Sequence, residues 1–247
     1  MPAPRTDWAR RLGSARSPGP GALLGALMAA CGTMLLAGCG STSHTSVRTG
    51  TGASDASAES CRQVPTPPSR DDEHASPPTE HLDSARRYTV TLATNCGDIA
   101  IQLAVKEAPI TTASFASLVR QGFYNGLTFH RVVPGYVIQG GDPKGNGTGG
   151  PGYSVVERPP SGLRYSRGVV AMAKTGSDPS GTSGSQFFIV TAPDASLPAQ
   201  YALVGTVVGG EAAIEAIERV PRTAGPDGEE SAPSMPVVIE KATLVVN

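Results

Sequence analysis

The chain has 247 residues, 39% of them hydrophobic, enough to bury one core of catalytic size and leave room for extensions. Twenty basic residues against twenty-one acidic ones give a net charge of -1, with no basic block to form a phosphate-binding footprint, which argues against nucleic acid as a partner. Thirty glycines, 22 prolines and 5% aromatic residues suit a loop-rich β protein joined to an unstructured segment.

Arg5, Arg10, Arg11 and Arg16 precede an uncharged apolar run from Gly21 to Leu36. A permanent span needs about 20 predominantly apolar residues, and this run is shorter and rich in Gly and Ala, so residues 1–38 read as a signal peptide. Leu36-Ala37-Gly38-Cys39 resembles the lipobox of bacterial lipoproteins. That resemblance implies a diacylglycerol on the Cys39 sulfur and a mature protein exported and held to the outer face of the cytoplasmic membrane. A plain secretory signal or a marginal membrane anchor is the alternative, and Arg10-Arg11 leaves the export route, Sec or twin-arginine, open.

Residues 39–87 read as a lipidated, disordered tether. From Ser41 to Arg87 there is no Phe, Trp or Tyr, and the large aliphatics are Val47, Val64 and Leu82, too few to offset the ordering entropy. Pro65, Pro67, Pro68, Pro77 and Pro78 stiffen the second half. His44, His74 and His81 are scattered without ligand spacing, and no metal site is expected. Exported thiols can oxidise, and a bridge between Cys61 and Cys96 would pin the end of the stalk to the folded domain; two free thiols are the alternative.

From residue 88 onward the pattern changes to short alternating runs. Tyr88–Ala93 and Gly97–Leu103 predict an opening hairpin. Pro109 begins a helix through Ile110–Gln121, stopped by Gly122. An Asn125-Gly126 turn launches a strand over Phe129–Val133; Pro134-Gly135 turns it into a second, Tyr136–Gln139, which Gly140-Gly141 closes. Alternation puts Phe129, Arg131 and Val133 on one face of the first strand and Val137 with Gln139 on one face of the second.

Gly145, Gly147 and Gly150 satisfy a G-x-G-x-x-G pattern, yet no helix pattern follows and Pro151-Gly152 opposes one, so this is a loop and no dinucleotide site. Strands follow over Arg167–Ala173, Gln186–Thr191 and Tyr201–Val208, then a helix over Glu211–Val220 and strands over Val237–Glu240 and Ala242–Val246. Gly181-Thr182-Ser183-Gly184 lacks the spacing of a serine-nucleophile elbow.

Two blocks, Phe129-His130-Arg131 through Gly140-Gly141-Asp142 and Gly184-Ser185-Gln186-Phe187-Phe188-Ile189, closely resemble the signature blocks of the cyclophilin family of peptidyl-prolyl cis/trans isomerases. The resemblance spans residues 88–247 and implies a mainly β fold: a closed eight-stranded antiparallel β-barrel with an α-helix over each open end. It implies isomerisation of X-Pro bonds in proline-containing polypeptides, without a cofactor, and a monomer is expected.

Arg131 resembles the family's catalytic arginine. Tyr136, Val137, Phe188, Leu197 and Tyr201 match the pocket for the proline ring, and Gln139 matches the residue that orients the arginine. Ala173, Lys174 and Gln186 match the groove for residues preceding proline, while Phe129 is assigned to packing. Where the best-known members carry Phe, Met, Asn, Trp and His, this chain has Tyr136, Val137, Lys174, Ser196 and Tyr201, and weak cyclosporin binding is expected. The function these readings favour is an isomerase acting in the folding of exported proteins. The alternative is a non-catalytic proline-peptide-binding module or a chaperone of a cell-envelope complex.

Overall fold

The computed structural model describes residues 60–70, 74–226 and 228–247; the signal-peptide and lipobox readings, Cys39 included, fall outside them. The opening hairpin is β1 (Tyr88–Thr94) and β2 (Gly97–Leu103), and α1 (Pro109–Arg120) follows. Proline is tolerated at the start of a helix because that N–H has no partner there anyway. Ala108 precedes it and cannot cap, so the Glu157 carboxylate accepts from the Ile110 and Thr111 N–H groups, at 3.1 and 2.7 Å.

Next come β3 (Arg131–Val133), β4 (Val137–Gly140), β5 (Val155–Val156), β6 (Val169–Met172), β7 (Thr182–Ser183), β8 (Phe187–Val190) and β9 (Leu203–Gly209). After α2 (Glu211–Arg219) the chain ends with β10 (Arg222–Ala224), β11 (Glu230–Pro233) and β12 (Ile239–Val246).

Eight strands form one sheet, in the order β12-β1-β2-β9-β6-β8-β4-β3, with every ladder antiparallel. The expected closed barrel is corrected here: the sheet curls but stays open between β3 and β12. With three residues, β3 is too short to close it, and the chain ahead, starting at Gly126 with φ +79°, is irregular. That segment meets the start of β12 through a single bridge, Thr128 with Val238, and backbone hydrogen bonds such as Phe129 N–H to Val237 O at 2.9 Å. The β10–β11 hairpin packs beside β3.

The register separates two faces. On one, Val132, Ile138, Ile189 and Val170 are cross-strand neighbours, all fully buried in the main core beneath the helices. On the other, Arg131, Gln139, Phe188, Ala171 and Leu203 form the parallel row, backed by a second apolar cluster that includes Val137, Tyr165 and Val190. A one-residue slip would exchange the two rows, so core packing fixes which side chains reach the second face.

The second correction concerns the tether. Residues 60–70 and 74–87, expected to be disordered, lie against the domain. Cys61 is joined to Cys96 by a disulfide, Arg62 and Asn95 exchange a backbone and a side-chain hydrogen bond, and the Arg70 and Ala75 N–H groups donate to Pro143 O and Pro151 O. Ser76 and Gln121 exchange two more. Backbone hydrogen bonds and one covalent staple order a segment whose side chains bury little, which composition alone does not register.

Candidate active site

Arg131 opens β3 directly opposite Gln139 on β4, and Gln139 in turn faces Phe188 on β8. Neighbouring strands lie about 4.8 Å apart, so this row delivers a cation, an amide and an aromatic ring to one small area. Arg131, Tyr136, Val137, Gln139, Ala173, Lys174, Phe188, Leu197 and Tyr201 line one cavity, which encloses about 420 Å³ including the solvent at its mouth. Gln186 is the one expected pocket or groove residue outside it; it lines an adjoining larger cavity together with Gln139, Ala173, Lys174 and the glycine loop.

The predicted sharing of a face by Phe129 and Arg131 does not hold. The strand begins at Arg131, and the irregular step through His130 sends the Phe129 ring into the core, edge-on to Phe187 with centroids 5.8 Å apart. Packing is the role expected for Phe129; the strand reaching back to it is not formed. Val137 and Gln139 do share the cavity face.

Arg131 is 8% exposed, and its Nη2 donates to Glu229 Oε2 at 2.8 Å. Sequence reasoning missed Glu229, which lies 98 residues away in a loop read as merely polar. Gln139, the expected orienting residue, gives its Nε2–H to Gln186 Oε1 at 3.1 Å. Gln186 Nε2 donates to Gly147 O and Gly149 O, at 3.0 and 2.9 Å, tying the row to the glycine loop. Gly141, behind this loop, has φ +82°, and a Cβ there would stand 2.6 Å from Ser185 O, so a side chain would meet both strain and collision.

The apolar wall is aromatic. Phe188 packs edge-on to Tyr201 at 5.4 Å, and Tyr165 packs against both. Tyr165 was also missed, since one tyrosine in a loop carries no pattern. Its hydroxyl donates to Tyr201 O at 2.6 Å and accepts from Tyr201 N–H at 3.0 Å, which fixes the backbone of the pocket wall. Burial pushes the Tyr165 phenol up to about 12, and burial also raises Tyr136 and Tyr201, so these rings are neutral at physiological pH.

Lys174 holds its ammonium on Thr175 O and Asp178 O, at 3.0 and 3.1 Å, and 5.8 Å from the Tyr201 ring centroid. The site is thus an apolar, aromatic hollow with one buried guanidinium on its wall. Such a hollow takes a small apolar ring and offers it a fixed cationic donor.

The family model for the cyclophilin type peptidyl-prolyl cis-trans isomerase matches residues 89–244. A probable peptidyl-prolyl cis-trans isomerase A of Mycobacterium bovis is 39% identical over 173 residues, covering 63% of this chain and 91% of that protein. The peptidyl-prolyl cis-trans isomerase B of Bacillus subtilis is 46% identical over 113 residues, 45% of this chain and 77% of that one. A Cryptosporidium parvum cyclophilin-type isomerase, solved in the presence of the dipeptide Ala-Pro, superimposes with a TM-score of 0.58 at 29% identity, covering 64% of this chain and 99% of its own. With its fold, its cavity and most of its length in agreement, the chain belongs to the cyclophilin-type peptidyl-prolyl cis-trans isomerases.

Proposed function

We propose that the cavity isomerises X-Pro bonds by differential stabilisation of the twisted amide, with Arg131 as the donor, and that the enzyme serves the folding of exported proteins from the outer face of the cytoplasmic membrane. Amide resonance sets a barrier of about 18–20 kcal/mol to rotation about the X-Pro bond. As the bond twists, the proline nitrogen becomes pyramidal and gains a lone pair. A donor aimed at that lone pair is engaged most strongly at the top of the barrier, so it lowers the barrier instead of merely binding both ground states.

The observation that carries this reading is the burial of the Arg131 guanidinium in the wall of a hollow formed by Tyr136, Val137, Phe188, Leu197 and Tyr201. A pyrrolidine ring against Phe188 presents its nitrogen toward that wall, while the residues preceding proline run past Ala173, Lys174 and Gln186. Little water reaches the guanidinium to compete for its N–H groups, which strengthens the interaction.

Export and lipidation at Cys39 are supported by the Arg-rich start, the apolar run and the lipobox-like tetrapeptide. The Cys61–Cys96 bridge agrees with an oxidising compartment. Slow X-Pro isomerisation limits folding in such compartments as elsewhere, which gives the enzyme its clients by chemistry.

The test is two-dimensional exchange NMR on a proline peptide with the full chain and its Arg131→Ala variant. Loss of about 10²–10³-fold in exchange rate by a folded variant is expected for removal of one transition-state donor. An unchanged rate would remove Arg131 from the mechanism. Globomycin-sensitive processing and acyl labelling, abolished by Cys39→Ala, would test the anchor; an unlabelled mature protein would sink it.

A further inference from the structure

We infer that Glu229 is a positioning residue for Arg131: its carboxylate fixes the guanidinium in the wall of the cavity. This rests on the reading of Arg131 as the donor.

The ion pair joins unequal partners, an Arg131 side chain 9% exposed and a Glu229 side chain 40% exposed, so it sits at the cavity's edge with the cation inward. A guanidinium is planar and carries its five N–H groups in a rigid fork. Holding Nη2 at 2.8 Å therefore narrows the orientations open to the whole group. The carboxylate lies against the buried charge and so favours its staying in place over swinging out to water.

Glu229 is itself held. Its carbonyl accepts from the Gly225 and Ser231 N–H groups at 2.7 and 2.8 Å, closing the loop between β10 and β11. The base of the hairpin is tied to the end of α2, where Arg222 Nη1 donates to Glu218 O and Val220 O at 3.0 and 2.9 Å. Ser231, two residues beyond Glu229, is buried, and Ser234 N–H donates to Pro221 O at 2.7 Å. The carboxylate is thus presented by a loop fixed at both ends, as orientation within a fraction of an ångström requires.

The experiment measures kcat and KM by exchange NMR for the full chain, Glu229→Ala, Glu229→Gln, Arg131→Ala and the double variant, with amide spectra to confirm folding. The expected result for Glu229→Ala is a fall of about ten-fold in kcat with KM within two-fold, because misaligned groups lose rate more than binding. Glu229→Gln keeps an acceptor oxygen at the same reach and should recover part of the loss. In the Arg131→Ala background Glu229→Ala should change nothing further, since the effect acts through the guanidinium. An unchanged or raised kcat in Glu229→Ala overturns the proposal, the second case making the carboxylate a brake; so does full additivity with Arg131→Ala. If Arg131→Ala itself keeps the wild-type rate, the underlying reading of Arg131 falls first, and this proposal with it.

Discussion

Gln186 binds both sides of the site at once: its Oε1 accepts from Gln139 Nε2 at 3.1 Å while its Nε2 donates to the carbonyls of Gly147 and Gly149. One amide thus couples the row that carries Arg131 to the glycine loop bordering the second cavity. The loop is also held from within, where the Asp142 carboxylate accepts from the Lys144, Asn146 and Gly147 N–H groups.

Gln186→Ala is expected to act on binding. The freed carbonyls lie where water can reach them, so the stability loss should be about 1 kcal/mol. KM for peptides should rise several-fold, most for substrates with a large residue before proline, and kcat should change less. Saturation kinetics across a set of X-Pro peptides that differ in the preceding residues would show it; a uniform fall in kcat with constant KM would contradict the role.

Reduction of the Cys61–Cys96 bridge should release the strap while leaving the site intact. The bridge spans a sequence separation of 35, and a loop of that size is worth about 2–4 kcal/mol against unfolding. With reductant, or in Cys61→Ser, hydrogen exchange at the Arg62, Arg70 and Ala75 amides should accelerate ahead of the sheet, and isomerase activity should stay within two-fold. Loss of activity on reduction would show that the strap supports catalysis.

His130 should make the fold less stable in mild acid. Its Nδ1 is shielded from water without a hydrogen-bond partner, and that burial, reinforced by the Arg131 charge and opposed by Asp142, lowers its proton affinity below the ordinary 6.5. The unfolded chain then binds the proton more readily than the folded one. Stability from this group is full above about pH 6.5 and is lost as pH falls toward the lowered folded value, levelling off beneath it. Denaturant midpoints measured from pH 7.5 to 5 should fall, and His130→Gln should flatten that part of the slope; an equal slope in the variant would exclude His130 as its source.

Tyr165→Phe should loosen the pocket wall. It removes the hydroxyl that both donates to and accepts from the Tyr201 backbone, leaving a part-buried N–H and carbonyl without that partner, at about 1 kcal/mol. The rings still pack, so the protein should fold with a lower melting temperature and a raised KM. A variant with wild-type stability would mean that water replaces the hydroxyl.

Much of the site was legible because it is built from two continuous blocks. In a strand the alternation of side chains is fixed by the backbone, so Arg131 was separable from Val132, and Val137 with Gln139 from Ile138, before their partners were known, while Phe188 was named by the resemblance. The exception was Phe129, which precedes the strand because β3 begins only at Arg131, and whose ring turns into the core.

The sequence alone determined the long strands of the sheet and the two helices in their order, because each depends on neighbours within a few residues; the short strands β5, β7, β10 and β11 were not foreseen, the two strands expected at the end form the single β12, and the cavity residues were named by the resemblance of two continuous blocks. Tertiary structure decided that the sheet stays open, that residues 60–70 and 74–87 strap onto it, and that Glu229 and Tyr165 lie against Arg131 and the pocket wall. Those outcomes depend on hydrogen bonds and an ion pair between groups distant in the chain, such as Phe129 with Val237 and Arg131 with Glu229, the latter 98 residues apart. Local pattern carries no trace of such a pairing, whose strength is set by burial and geometry that exist only once the chain has folded.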